Sequence, residues 1–265
     1  MKKERSFNGI ILSEYDYQVQ RTDWHYHEHP YFMYLLEGNL YDVNQKRKAI
    51  CPPGSLLFHN WQEQHYNAKE SQDARGFHIE FDRSWFEENQ LDVTLWNGSS
   101  KLDHPILHQL IGKLYYEFHA GDEFSEIGIE SSLLALCESI EGHVRIDRPE
   151  SPSWLPSLKE LLHSDAGTIS LKALSLELGI HPVHLSRSAP KYLGMTLSEY
   201  MRGLKIKRSL SYLVDENLSL TEVTYLSGFY DQSHFISLFK SYFGMTPNTY
   251  KKAITGRNHV NSVLF

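Results

Sequence analysis

His25 and His27 stand two residues apart, a spacing that puts both imidazoles on one face of a strand, and His65 lies beyond the turn Pro52-Pro53-Gly54. Three imidazoles can hold a divalent metal. Together with Trp24, Tyr31, His78 and Glu80 they also form a set suited to line an interior, with aromatic faces for stacking and a few oriented polar groups for a small polar organic ligand. For any one of these residues, simple filling of a core is the plainer role. A second polar set lies far along the chain: Val183, His184, Ser186 and Arg187, then Gln232, Ser233, His234, Ser237 and Lys240. Arg187 can grip a guanine edge with two hydrogen bonds and Gln232 an adenine, serine can bond either, and Val183 can cover a thymine methyl. Lys240, later on its helix, suits a phosphate. A solvated helix face is the plain alternative for this set.

The elements that must position these groups change character along the chain. From Tyr15 to Phe81 aromatic and β-branched residues are punctuated by turn signals at Glu37-Gly38-Asn39, Pro52-Pro53-Gly54 and Asn60, which predicts short strands. Tyr31 to Leu36 is apolar on both alternating faces, as a strand covered on both sides requires. Phe77, Ile79 and Phe81 alternate with His78 and Glu80, giving one apolar and one polar face. A sandwich or small barrel with a lined interior follows. From Asp103 the period becomes helical, with Leu107, Leu110, Ile111, Leu114 and Phe118, then Ile129, Leu133, Cys137, Ile140 and Val144. Gly121-Asp122 separates the two stripes and predicts a helical hairpin that packs on the barrel or on a second copy. Arg145 to Pro156, with three prolines and several charges, reads as a linker.

Beyond it the chain repeats itself. Ser170-Leu171 and Gly179 recur at an offset of 49 as Ser219-Leu220 and Gly228; Gly194-Met195-Thr196 and Tyr200 recur at an offset of 50 as Gly244-Met245-Thr246 and Tyr250. Two copies are too few for a solenoid, so the pattern is a duplicated supersecondary unit. In each, a serine N-cap opens a short helix, a glycine in the left-handed region stops it, and a second helix follows. That second helix carries an apolar stripe, Leu185, Ala189 and Leu193 or Phe235, Phe239 and Phe243. This is the helix-turn-helix plan, whose opposite face is left to enter a groove about 12 Å wide. Leu197 to Val214 reads as one connecting helix of about 27 Å, near the 34 Å or so of one DNA turn. Its cations Arg202, Lys205, Lys207 and Arg208 either touch phosphates or face solvent.

Charge agrees with this division. The 265 residues carry a net charge of −7, but residues 1–150 hold 14 Lys and Arg against 25 Asp and Glu, a balance of −11, while 151–265 hold 12 against 8, a balance of +4. A polyanionic partner belongs on the second half. No apolar run reaches the 18 or so residues of a membrane span, and the start MKKERSFNG lacks the apolar core of a secretory signal, so a cytoplasmic location is expected. Cys51 and Cys137 make neither a zinc-ribbon spacing nor a disulfide framework.

Residues 152–254 resemble the DNA-binding domain of the AraC/XylS family of bacterial transcription regulators, most clearly in GFYDQSHFISLFKSYFGMTPNTYKK from Gly228 to Lys252. The chain departs from the family pattern at Ala189-Pro190, where Phe-Lys is usual, at Ser237, often Arg, and at Thr224, usually Ala. A proline there predicts an end or kink in the first reading helix. The first half is similar to the family's cupin-like sensor domain, in WHYHEHPYFMYLLEG from Trp24 to Gly38, then PPG at 52–54, then His65. Metal-binding cupins add a carboxylate where this chain has Tyr31 or Phe32, so no metal ligands and no cofactor are assigned.

The resemblance implies an α+β chain. A cupin-like β-barrel at 1–100 would bind an effector, and a helical hairpin at 101–146 would mediate dimerisation. A linker at 147–156, a tandem helix-turn-helix domain at 157–254 and a tail at 255–265 would follow. It further implies a non-enzymatic, homodimeric, sequence-specific regulator of double-stranded DNA that works with RNA polymerase, away from membranes, and answers a small effector, most commonly a sugar. Two competing readings are a metal-dependent cupin enzyme with a helical tail and an effector-independent regulator whose barrel serves dimerisation.

Overall fold

The computed structural model describes residues 3–91, 98–146, 151–164 and 169–255. The linker residues 147–150 and the tail 256–265 lie outside them. Among the described residues nine strands form two antiparallel sheets. One has six strands in the order β1 (Glu4–Phe7), β2 (Ile10–Asp16), β8 (Arg75–Phe81), β3 (Tyr31–Glu37), β6 (Leu56–His59) and β9 (Ser100–Leu102). The other has β5 (Lys48–Cys51), β4 (Leu40–Asn44) and β7 (His65–Lys69).

β3 is buried along both faces, as its sequence requires. Its inward residues Tyr31, Met33 and Leu35 join Tyr17, Leu40, Cys51 and Leu57 in a core between the sheets. Its outward residues Phe32, Tyr34 and Leu36 enter a second core with the helices. The register Tyr31↔Glu80 and Met33↔His78 sets the polar residues of β8 on the inward side, while Phe77, Ile79 and Phe81 face the helices.

After a short helix α1 (Arg83–Glu88) and β9, the hairpin α2 (Pro105–Ala120) and α3 (Ser125–Ile146) turns at Gly121, whose φ of 61° is a left-handed C-cap. Its apolar stripe packs on the barrel: the rings of Tyr115 and Phe118 lie 5.3 and 5.2 Å from that of Phe77. The second half runs α4 (Leu155–Ser164), α5 (Leu171–Leu178), α6 (Pro182–Leu193), α7 (Leu197–Leu213), α8 (Leu220–Leu226), α9 (Gln232–Phe243) and α10 (Pro247–Thr255). α4 thus begins inside the stretch expected to be linker, and β9 carries the sheet past residue 100. No helix among the described residues is long and apolar enough to cross a membrane.

The two repeated units are buried differently. The first has its own core of Leu158, Leu174, Leu185, Ala189, Leu193 and neighbours. The second shares one continuous core with the barrel and hairpin, through Val223, Phe235, Phe239, Phe243 and Tyr250. This merger between the halves was not expected from the sequence.

Candidate functional site

Each helix-turn-helix unit is built by local signals. Ser170 accepts from the backbone N–H of Ala173 at the start of α5, and Ser219 forms a reciprocal capping box with Glu222 at the start of α8. Gly179 ends α5 with φ of 65°. His181 and Asp231 cap the second helices, the Asp231 carboxylate accepting from the N–H groups of both Ser233 and His234. Leu185, Ala189 and Phe235, Phe239 are wholly buried.

The other face of α6 and α9 is open. Val183, His184, Ser186, Arg187, Ser233, His234, Ser237 and Lys240 are all exposed, and Gln232 is half-buried. The Gln232 Oε1 accepts from the Thr221 hydroxyl at 3.0 Å, which orients the amide and leaves the oxygen a second lone pair. α6 runs unbroken through Pro190 to Leu193, so the expected end at the proline is corrected. The ring removes one N–H, but burial of Ala189 and Leu193 on either side holds the last turn. Thr224, where Ala is usual, is buried with its hydroxyl donating to the Leu220 carbonyl at 2.8 Å.

Two of the α7 cations reach other elements and a third bonds within its own helix, a use that neither reading of them includes. The Lys207 ammonium pairs with Asp103, Lys205 donates to the Gly228 carbonyl at 2.8 Å, and Arg208 donates to the Tyr212 hydroxyl. They are clamps within the molecule.

One helix ties the barrel to both α6 and α9. At the start of α2, His104 caps with its Nδ1 accepting from the Ile106 N–H, and its Nε2–H therefore donates to the Leu193 carbonyl in the last turn of α6, at 2.9 Å. Further along α2, a Cβ on Gly112 would lie 2.7 Å from the Phe243 ring and 2.9 Å from the Tyr242 carbonyl, so α9 sits against bare backbone. At the far end, Tyr115 and His119 both bond the Glu14 carboxylate of β2, at 2.8 and 2.9 Å.

Within the barrel the imidazoles converge. His25 and His65 are backbone partners in an isolated bridge, and the rings of His25, His27 and Tyr31 gather around His65. The Tyr31 hydroxyl and His65 Nε2 are 3.0 Å apart. His78 meets the Tyr17 hydroxyl at 3.2 Å on the same inward face. Glu80 is half-buried beside Tyr31 in the register. Trp24 stands apart, 48% exposed with its ring edge-on to Tyr66.

Sequence reasoning missed two members. The His59 ring stacks on Tyr31 and His65, and its Nε2 lies 3.3 Å from the Asp42 Oδ2, both side chains essentially inaccessible. The LYDVN alternation of β4 did carry a signal, since Asp42 and Asn44 share the inward face of Leu40. Burial pushes the Asp42 carboxyl up to about 6 against the pull of Arg47. Burial, reinforced by neighbouring imidazoles, lowers His27 to about 4. Burial also lowers His65 to about 4 and holds His59 well below its ordinary range.

A β-barrel with a polar-lined interior joined to a tandem of helix-turn-helix units, with both second helices open to solvent, defines a two-part class of protein. Comparison agrees. The AraC-like ligand binding domain matches residues 7–137 and a helix-turn-helix domain matches residues 174–253. The chain is 32% identical over 90 residues, 34% of its length, to the HTH-type transcriptional activator AarP of Providencia stuartii, covering 67% of that protein. It is 22% identical over 251 residues to the uncharacterized HTH-type transcriptional regulator YisR of Bacillus subtilis, covering 84% of this chain and 85% of that one. It is 27% identical over 124 residues, 46% of its length, to the Msm operon regulatory protein of Streptococcus mutans serotype c, of which it spans less than half, 45%. The chain belongs to the AraC family of transcriptional regulators, with the DNA-binding and ligand-binding domains of that family. These three relatives are named as regulators, which supports the regulator over the metal-dependent enzyme reading.

Proposed function

We propose that the protein recognises specific sites in double-stranded DNA with α6 and α9, and that a small polar organic ligand in the barrel changes how those helices are held. The observation that carries this reading is the position of α2, which is buried in the core shared with the barrel and touches the last turns of both reading helices. A ligand that favours one barrel arrangement shifts DNA affinity only by its differential affinity for the two arrangements, and α2 is the part that would differ. The base-reading set is Val183, His184, Ser186, Arg187, Gln232, Ser233, His234 and Ser237, with Lys240 on a phosphate. The ligand set is His25, His27, Tyr31, His65, His78 and Glu80, with Trp24 at the rim. A sugar, rich in hydroxyls and apolar ring faces, fits aromatic and imidazole walls.

The protein acts as a homodimer in this reading, supported by the exposed Phe124, just before α3, and Ile127, in its first turn, 67% and 69% exposed, and works with RNA polymerase at its sites. Selection of bound sequences from random DNA by the full-length protein, with and without candidate sugars, tests it. Two half-motifs about one helical turn apart are expected, with an occupancy that a sugar changes. Absence of sequence enrichment overturns the DNA reading, and enrichment indifferent to every ligand favours the barrel as a dimerisation module alone.

A further inference from the structure

We infer that the floor of the barrel is a binding site for a divalent first-row transition-metal ion, held by Asp42 Oδ2, His59 Nε2 and His65 Nε2. The sequence motifs single out His65 but not the three residues as a set. β4, β6 and β7 bring the three together, and their ligating atoms all lie within 4.8 Å of one another.

The direction of the hydrogen bonds around the three carries the argument. The Ser99 hydroxyl donates to the Glu63 Oε2 at 2.5 Å. Towards His59 Nδ1, 3.5 Å away, it therefore presents an acceptor, so Nδ1 bears the ring hydrogen and Nε2 the lone pair. That lone pair faces Asp42 Oδ2 across 3.3 Å and makes no hydrogen bond among the described residues. Two acceptors opposed in a buried site need a positive charge between them, a proton or a metal ion, and the ligating atom of a third group, His65, within 4.8 Å of both favours the metal ion. His65 presents the same atom: its Nδ1 lies 3.2 Å from the Glu63 carbonyl, which only accepts, so Nε2 carries the lone pair and accepts from the Tyr31 hydroxyl at 3.0 Å, a bond that a metal ion would replace. Asp42 is held by Arg47 on Oδ1 at 3.3 Å and by Asn67 on Oδ2 at 3.2 Å. Each ligand is thus oriented from behind by an outer partner, the arrangement by which proteins fix metal ligands.

Two imidazoles and a carboxylate suit zinc and its first-row neighbours. Ligands on a tetrahedral ion with bonds of about 2.0 Å stand roughly 3.3 Å apart, which the Asp42 and His59 atoms already do. His65 is shared with His25 and His27 in a second, outer trio whose atoms are equally close. The inner trio is favoured because it contains the carboxylate and the opposed acceptors.

The inference rests on the barrel as a binding compartment, but its test uses no DNA, so the two readings fail separately. Full-length protein stripped by chelator is dialysed against zinc alone, and bound metal and the zinc X-ray absorption edge are measured. One ion per chain in a shell of two imidazoles with a carboxylate oxygen is expected. Asp42→Asn should lower affinity at least ten-fold. Ser99→Ala, which keeps all three ligands and removes one outer partner, should lower it about ten-fold. No stoichiometric ion, or a shell of three imidazoles without carboxylate, overturns the assignment. If Asp42→Asn fails to fold, the wild-type spectrum and Ser99→Ala decide.

Discussion

The Lys207 ammonium and the Asp103 carboxylate meet at 2.5 Å, pinning the helix between the two reading units to the segment that leaves the barrel. Burial pushes the Asp103 carboxyl up, but the Lys207 charge and hydrogen bond outweigh it and hold the carboxyl at about 2, below its ordinary 3.8. A depressed carboxyl contributes stability that is present above the unfolded value and lost as pH falls towards the folded one. Thermal unfolding followed from pH 6 to pH 2 should therefore steepen below about pH 4. Lys207→Met should lower stability at pH 6 and flatten that limb. An unchanged limb in the variant would show that the pair adds nothing.

His108 on α2 is wholly buried between the halves, facing Tyr34 of β3, with His104, Asp103, Lys207 and His163 the charged or titratable groups around it. Neither ring nitrogen has a hydrogen-bond partner among the described residues. Burial, then Lys207, holds its pKa well below 6.5, so the stability it supports is complete above about pH 6.5 and declines as pH falls. His108→Leu should keep or raise stability at pH 7.5, since it removes unpaired polar atoms, and reduce the loss between pH 6.5 and 5. Denaturant unfolding at the two pH values measures both.

Gly112→Ala should destabilise the whole molecule by about 1–3 kcal/mol, because its methyl meets the Phe243 ring and the rigid Tyr242 backbone. Urea unfolding read by tryptophan fluorescence checks this. A neutral result would mean that α9 slides freely on α2.

On the reading face, Arg187→Ala should cost about 1–3 kcal/mol at the preferred site and relax the choice at one base position. Lys240→Ala should weaken all sequences alike and reduce the salt slope by about 1. Titrations of specific and scrambled duplexes at several salt concentrations separate the two.

What could be read from the residues was what local chemistry decides. Ser170, Gly179, Ser219 and the Leu185 and Phe235 stripes announce their helices within a dozen residues, and the duplication shows twice over. Asp42 and His59 were hidden because strands distant in sequence bring them together, and no short spacing records that pairing. Lys205 and Lys207 were misjudged because a cation on an amphipathic helix looks the same whether water or a carbonyl lies beyond it. The shared core escaped because a stripe of phenylalanines does not say which neighbour covers it.

Because the second unit's phenylalanines are roofed by the hairpin while the first unit keeps a hydrophobic interior to itself, the two helix-turn-helix units are unequal lodgers. Cutting the chain after residue 150 would strip the roof from α9 yet leave α6 housed. The isolated C-terminal piece would then hold α6 firmly while α9 loosened, and any replacement of the N-terminal half would have to bring that contact surface with it.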